Sequence, residues 1–494
     1  MFSPQPTSPH RLTDLAISGS IYQIASSGIT LILGFVRSVL LARWLLPEHF
    51  GVVTMGLFFV QLVAYLRGLG LDPALIHRQD ADQNFLGTYF SLRVGIDILV
   101  FTLVLLAAPI IQGMYPQMPD LGAVLRVLMV GFLLANFSLV QETLLSKNLA
   151  FKPLAAMNVI ASLVMLIVAP YLAWRGWGVW ALVAENVSGL ATRFLLSWGP
   201  FRSWRPRINW DKKAVKWLWH FGKPTWLATN LTFFIDHFDD FWVGTSLGDV
   251  SLGFYSKAYE FAHYPRRVLA NPIVSVFVPI FARLQQNRLQ LSRAFYRSAH
   301  VILRTGFLVS GIFALVMPEF IHFVLGDKWM SMLWPFRLML IYTMIDPLLM
   351  LINNLFLATG KPEELRRIKT TQALFFLPAV ILGAAAGGIN GVALAADGML
   401  LVGLWRAYLP LTNLVDFSLP RLVLWPLIAL SVSWGSGIWI ELNTIGPVEW
   451  VLILKTGVFI LLFGGFLLAT EWRDYLKGWQ MLWKVIHAVN SQGE

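Results

Sequence analysis

The chain has 494 residues, 57% hydrophobic and 13% charged, with a mean hydropathy of +0.64. An ordinary soluble domain carries about 25% charged residues, so a water-soluble globule is excluded and membrane spans become the economical home for the apolar surplus. The net charge of +11 is spread over short connectors rather than one compact basic domain, which argues against a nucleic-acid partner, and the lack of cysteine rules out disulfides and thiolate–metal sites.

Residues 1–14 read as a cytoplasmic lead-in, with three prolines and neither the basic start nor the cleavage site of a signal peptide. About fourteen spans follow, at 15–43, 51–76, 85–111, 121–145, 155–174, 179–198, 215–245, 252–282, 295–317, 332–357, 371–387, 392–411, 422–439 and 448–469. The fold class expected is an all-α polytopic membrane protein. It divides into a six-helix lobe over 15–200, a basic cytoplasmic linker over 201–214, a second lobe over 215–412, two extra helices over 420–470 and a tail over 471–494. In the tail Trp472, Leu476, Trp479, Leu482, Trp483 and Ile486 recur at helical spacing between basic residues, the pattern of an interfacial amphipathic helix.

With the amino terminus inside, the even-numbered connectors and both tails hold roughly 21 Lys and Arg and the odd-numbered ones about 2, which fixes both termini in the cytoplasm. Trp44, Trp174, Trp177, Trp198 and Trp329, near span edges, suit interfacial belts.

An internal repeat sets the architecture. Leu46, Pro47, Glu48, Phe50 and Gly51 are echoed by Leu247, Gly248, Asp249, Leu252 and Gly253, each joining the first two spans of a six-helix unit. Ala108-Pro109 matches Met317-Pro318, and Gly178-Val179 with Ala184-Glu185 matches Gly391-Val392 with Ala396-Asp397. An even number of crossings separates the copies, so they share one orientation, the arrangement of transporters that rock two bundles about a central site.

The stretch Leu41-Ala42-Arg43-Trp44-Leu45-Leu46-Pro47-Glu48-His49-Phe50-Gly51-Val52-Val53, then Gly68-Leu69-Gly70-Leu71 and Ala74-Leu75-Ile76, resembles polysaccharide flippases of the Wzx type. Phe238-Asp239-Asp240-Phe241-Trp242-Val243-Gly244 and Leu252-Gly253-Phe254-Tyr255-Ser256-Lys257-Ala258-Tyr259 resemble that family's second-half signature. The parent superfamily also holds multidrug and toxin extruders and lipid II flippases. The resemblance implies translocation of a polyprenyl-diphosphate-linked sugar repeat from the cytoplasmic to the periplasmic leaflet of the bacterial inner membrane, for lipopolysaccharide or exopolysaccharide. It implies no cofactor, and as partners membrane lipids, a coupling cation (H⁺ or Na⁺) and the polymerase and export machinery. His49, where an acidic or polar residue is commoner, and Asp236, an added acid, depart from the pattern.

Arginines inside the spans are the candidate site. Each costs about 2.5–3.5 kcal/mol at mid-membrane, so they must face protein or water. Arg67, Arg93, Arg267, Arg304 and Arg337 recur at matching places in the two copies, with Arg126 beside them, and are expected to bind diphosphate and sugar through forked, charge-assisted hydrogen bonds. The plain alternative is local pairing, as of Arg93 with Asp97, or snorkelling to headgroups. Arg37 and Asp239 occupy equivalent depths with opposite charge and form a candidate gating pair. Glu185, Asp346 (before Pro347) and Asp397 are candidates for ion coupling, with pairing to Arg193 or Arg406 as the structural alternative.

A membrane glycan polymerase or ligase would want a catalytic constellation on a long loop. The odd connectors are short, the loop 201–216 holds one acid, Asp211, Gly387-Gly388 lacks a phosphate-loop pattern, and the nine histidines include no i, i+4 pair for zinc. The expectation is a transporter and not an enzyme. A drug extruder would favour acids and aromatics over arginines, lipid II shares the diphosphate, and intramembrane charge counts against a non-transporting scaffold.

Overall fold

The computed structural model describes residues 9–78, 82–444 and 446–490. Among them there is no strand, and fourteen α-helices account for most of the chain. They are α1 (Pro9–Trp44), α2 (Pro47–Arg67), α3 (Leu71–His77), α4 (Gln83–Met114), α5 (Leu121–Lys147), α6 (Phe151–Trp174), α7 (Val179–Trp198), α8 (Lys212–Ala262), α9 (Asn271–Leu284), α10 (Arg288–Glu319), α11 (Leu333–Ala358), α12 (Pro362–Thr412), α13 (Leu419–Asn443) and α14 (Val448–Asn490). In hydrocarbon only a helix meets its own backbone hydrogen-bond demand, so long apolar runs take this form. Eleven of the described helical stretches are long and apolar enough to cross a membrane.

The helices are interrupted where the sequence supplies a breaker. The second span was expected to run unbroken over 51–76; instead α2 stops at Arg67, because Leu69 and Gly70 take left-handed backbone (φ 46° and 67°), and α3 starts afresh. The expected eighth span is broken by a π-helical turn, Arg266–Ala270, ahead of α9. Gly248 (φ 85°) bends α8, and Gly388 (φ 55°, ψ −139°) bends α12. Gly178, before α7, has nearly the same conformation as Gly388 (φ 52°, ψ −128°), so the helices bearing Glu185 and Asp397 begin at equivalent turns. That equivalence puts Gly178 opposite Gly388 rather than Gly391, a shift of one short turn from the sequence register.

The chain forms two compact units. One holds Met1–Lys257 with Val324–Trp329 and Ala384–Ile389; the other holds Ala258–Phe323, Met330–Gly383 and Asn390–Glu494. In the first, α5 packs on α2, α4 and α7, and α6 on α1 and α7. In the second, α10 packs on α9, α11, α13 and α14, around Phe295, Phe307, Phe356 and Phe459. Trp44, Trp174 and Trp177 are exposed as a belt requires, but Trp329 is wholly buried and leaves that set. The helix α14 bends at Glu471 and continues to Asn490; the side chains of 472–490, and with them the expected interfacial face, lie outside the described residues.

Candidate functional site

In the first unit Arg67 and Arg93 are buried with acids from other helices. Arg67, the last residue of α2, donates to Asp97 of α4 and to Asn136 of α5, and its guanidinium lies 4.8 Å from the Phe132 ring centre. Arg93 donates to Asp72 of α3 and, at 3.1 Å, to the Tyr89 hydroxyl, and also reaches Asn136 Oδ1 at 3.5 Å. Tyr89 in turn donates to Asp72. The same-helix pairing of Arg93 with Asp97 gives way to a cross-helix set, because the break at Leu69–Gly70 carries Asp72 to Arg93 while Asp97 serves Arg67. Two cations and two anions make a neutral cluster, yet Arg67 Nε, Arg93 Nε and Asn136 Nδ2 are buried without an acceptor among the described residues. Such a cluster has unused donor capacity for an added oxyanion.

Arg37 Nε meets Glu185 Oε1 at 2.6 Å, joining α1 to α7, and Asp239 accepts from Tyr255 Oη at 2.7 Å. In this conformation the candidate gating residues hold other partners. Glu185, a candidate for ion coupling, is thereby bound to the arginine of the candidate gating pair. Two turns along α7, Arg193 forks onto Glu142 of α5 and donates to Asn158 of α6 at 2.6 Å. His49, the departure at the first signature, accepts the Leu46 backbone N–H through Nδ1 at 3.2 Å and so closes the start of α2 as a polar side chain there would.

In the second unit Arg304 spends its donors on Glu471 (Nε to Oε2 at 3.0 Å, with Nη2 on Oε1) and on the carbonyls of Leu422 and Arg421 at 3.0 and 3.3 Å. His300 Nε2 is 3.0 Å from the same carboxylate. Arg337 donates to the Ala314 carbonyl at 3.3 Å, with its guanidinium 5.5 and 5.6 Å from the ring centres of Trp334 and Trp434. Arg267 is exposed, 5.9 Å from the Tyr264 ring centre, whereas its neighbour Arg266 pairs with Asp346 at 2.9 Å. Arg126 is exposed. Asp397 is buried, and neither carboxylate oxygen makes a hydrogen bond of ordinary geometry among the described residues. Arg406 reaches Glu364 at 3.5 Å.

Several charged residues escaped the sequence reading. Lys455, wholly buried in α14, bridges Glu319 of α10 and Glu441 of α13, the latter at 2.9 Å. A lone lysine in the apolar run 448–469 was the available signal. Lys257, inside the second signature, is buried with Nζ 2.9 Å from Ser38 Oγ and 4.3 Å from the Phe50 ring centre. No group of three or more metal-binding side chains occurs among the described residues.

The family described as "Polysaccharide biosynthesis protein" matches residues 40–333. The chain is similar to the lipopolysaccharide biosynthesis protein WzxC of Escherichia coli, 25% identical over 79% of each chain. It is also similar to the teichuronic acid biosynthesis protein TuaB of Bacillus subtilis, 26% identical over 76% of this chain and 74% of that one. Among solved structures, the lipid II flippase MurJ in an inward closed conformation superposes with a TM-score of 0.73 at 14% identity, covering 93% of this chain and 100% of that one, a likeness of fold.

Proposed function

Because the chain belongs to the polysaccharide biosynthesis protein family, the group its Wzx-type signatures resemble, we propose that it flips polyprenyl-diphosphate-linked oligosaccharide repeats from the cytoplasmic to the periplasmic leaflet of the bacterial inner membrane. The observation that carries this reading is the family match over 40–333 in a chain whose described residues include eleven helices long and apolar enough to cross a membrane, with arginines buried among them. With α8 and α12 each crossing twice the spans number fourteen, and both termini lie in the cytoplasm. The chain works as a transporter, not an enzyme, beside the polymerase and export machinery that use its product.

The diphosphate head group is met by arginine. Arg67 and Arg93 are held by Asp97 and Asp72, and an arriving diphosphate takes up their unused donors and competes with those acids, a partner exchange that forked guanidinium geometry favours. Arg267 and Arg337 add cationic surface framed by aromatic rings, while Arg304 serves chiefly to hold α14 on α10. The polyprenyl tail stays in hydrocarbon. Arg37 and Asp239 form a gating pair in another state of the cycle, in which they leave Glu185 and Tyr255. Glu185, Asp346 and Asp397 couple the cycle to H⁺ or Na⁺, with Asp397 the acid least committed to a protein partner.

Deletion of the gene is expected to remove a surface polysaccharide and to leave its lipid-linked repeat on the inner leaflet, with both defects reversed by the intact gene. Normal glycan with no accumulation would overturn the reading.

A further inference from the structure

The two repeat signatures do more than resemble one another: within the first unit they are interlocked. A methyl group at Gly51 would sit 1.9 Å from the Asp249 carbonyl oxygen, and one at Gly253 would sit 1.9 Å from the Pro47 carbonyl oxygen. Each contact joins a glycine of one copy to the residue four places before the matching glycine of the other. The backbones therefore touch reciprocally about a local pseudo-two-fold, at a separation that only glycine permits.

Trp329 fills the space beside this crossing. It is wholly buried, edge-on to Phe50 at 5.3 Å and to Phe254 at 5.9 Å, the residues adjoining the two glycines. Its indole N–H donates to the Ala42 carbonyl at 2.7 Å, and Lys328 Nζ to the Arg43 carbonyl at 2.9 Å. Arg43 answers on the Val324 carbonyl at 3.5 Å. Two of the last carbonyls of α1, which a helix end leaves unsatisfied, are thus supplied by a segment nearly three hundred residues away. All these segments are odd-numbered connectors or their edges.

We infer that Gly51, Gly253 and Trp329 form the seal that shuts the odd-connector side of the translocation path, the glycines setting the closest approach and Trp329 acting as its keystone. The inference rests on the transport reading for its purpose but not for its geometry. Backbone contact makes the seal all-or-none: a methyl group cannot be absorbed by a side-chain shift and must push the two connectors apart.

The chain has no cysteine, so a single reporter thiol can be read without background. Ser38→Cys, at a position 5% exposed and less than two turns before the end of α1, reports from beneath the seal; Leu46→Cys, at a position 43% exposed, is the accessible control. With a membrane-impermeant maleimide added on the periplasmic side, Ser38→Cys is expected to react about tenfold more slowly than Leu46→Cys. Adding Gly51→Ala, Gly253→Ala or Trp329→Ala should raise its rate about tenfold, as a shift toward the open population requires. Trp329→Phe, which keeps the ring contacts and loses only the N–H, should raise it less. The seal is overturned if Ser38→Cys in the otherwise unaltered chain reacts as fast as the control, a result that needs no packing variant. It is equally overturned if the packing variants reach normal abundance and leave the rate unchanged. Thiol reactivity is read without sugar export: failed export with the thiol pattern intact sinks the transport reading and leaves the seal standing.

Discussion

Arg304 and Glu471 form a forked ion pair that fastens α10 to α14 at the bend of the latter, with His300 on the same carboxylate. Removing one partner of a buried pair leaves a charge without an answer, at a cost of about 3–5 kcal/mol. Glu471→Gln should therefore lower the unfolding temperature in detergent, and Arg304→Met combined with Glu471→Met should recover most of the loss. Export by these variants should fall in proportion to folded protein. An Arg304 variant of full abundance and no export would return that residue to the head group.

For Arg67 and Arg93, lysine is the informative replacement, since it keeps the charge and loses the planar fork. Arg67→Lys and Arg93→Lys should each reduce surface polysaccharide by about tenfold, the cost of roughly one charge-assisted hydrogen bond, while their lipid-linked repeat accumulates. Abundance should change much less. Unaltered glycan in both variants would make the cluster purely structural.

Arg37 offers two competing charge exchanges. Arg37→Glu should abolish export and Glu185→Arg added to it should restore much of it, with a coupling of about 0.5–3 kcal/mol in a double-mutant cycle. Arg37→Asp with Asp239→Arg recovers activity only if those two residues meet in another state of the cycle. Failure of the second exchange alone would remove the gating pair.

Coupling is tested at Asp397 and Asp346. Asp397→Asn should leave slow export that no longer rises with the proton or sodium gradient across vesicles, because the one ionisable group is gone while shape is kept. Asp346→Asn also deprives Arg266 of its acid and should cost stability as well. Unchanged gradient dependence in both would end their coupling role.

The helices and the repeat were legible because both rest on periodic, additive signals: long apolar runs and landmarks such as Pro109 and Pro318. The interruptions were less so. Leu69 and Gly70 lie inside an apolar stretch, and hydropathy alone cannot register that their backbone turns left-handed. Which acid answers which arginine was not legible, since Arg67 finds Asp97 on another helix and Arg304 finds Glu471 at a distance of 167 positions. Pairing across helices depends on rotation and height, and one sequence fixes neither. Trp329 misled for a related reason: a tryptophan near a span edge fits an interfacial belt, and only tertiary packing reveals that two other segments enclose it.

The partners of the inward arginines also set a timetable for biogenesis. Arg67 and Asp97 are 30 positions apart and leave the ribosome almost together, so their charges can cancel as soon as α4 enters the bilayer. Arg304 must wait for Glu471, the better part of two hundred residues later, and a nascent chain paused before α14 holds a guanidinium in the membrane with its acid still unsynthesised. The last helix thus completes the electrical insulation of an earlier one, and a chain truncated ahead of Glu471 should be recognised as unfinished by membrane quality control.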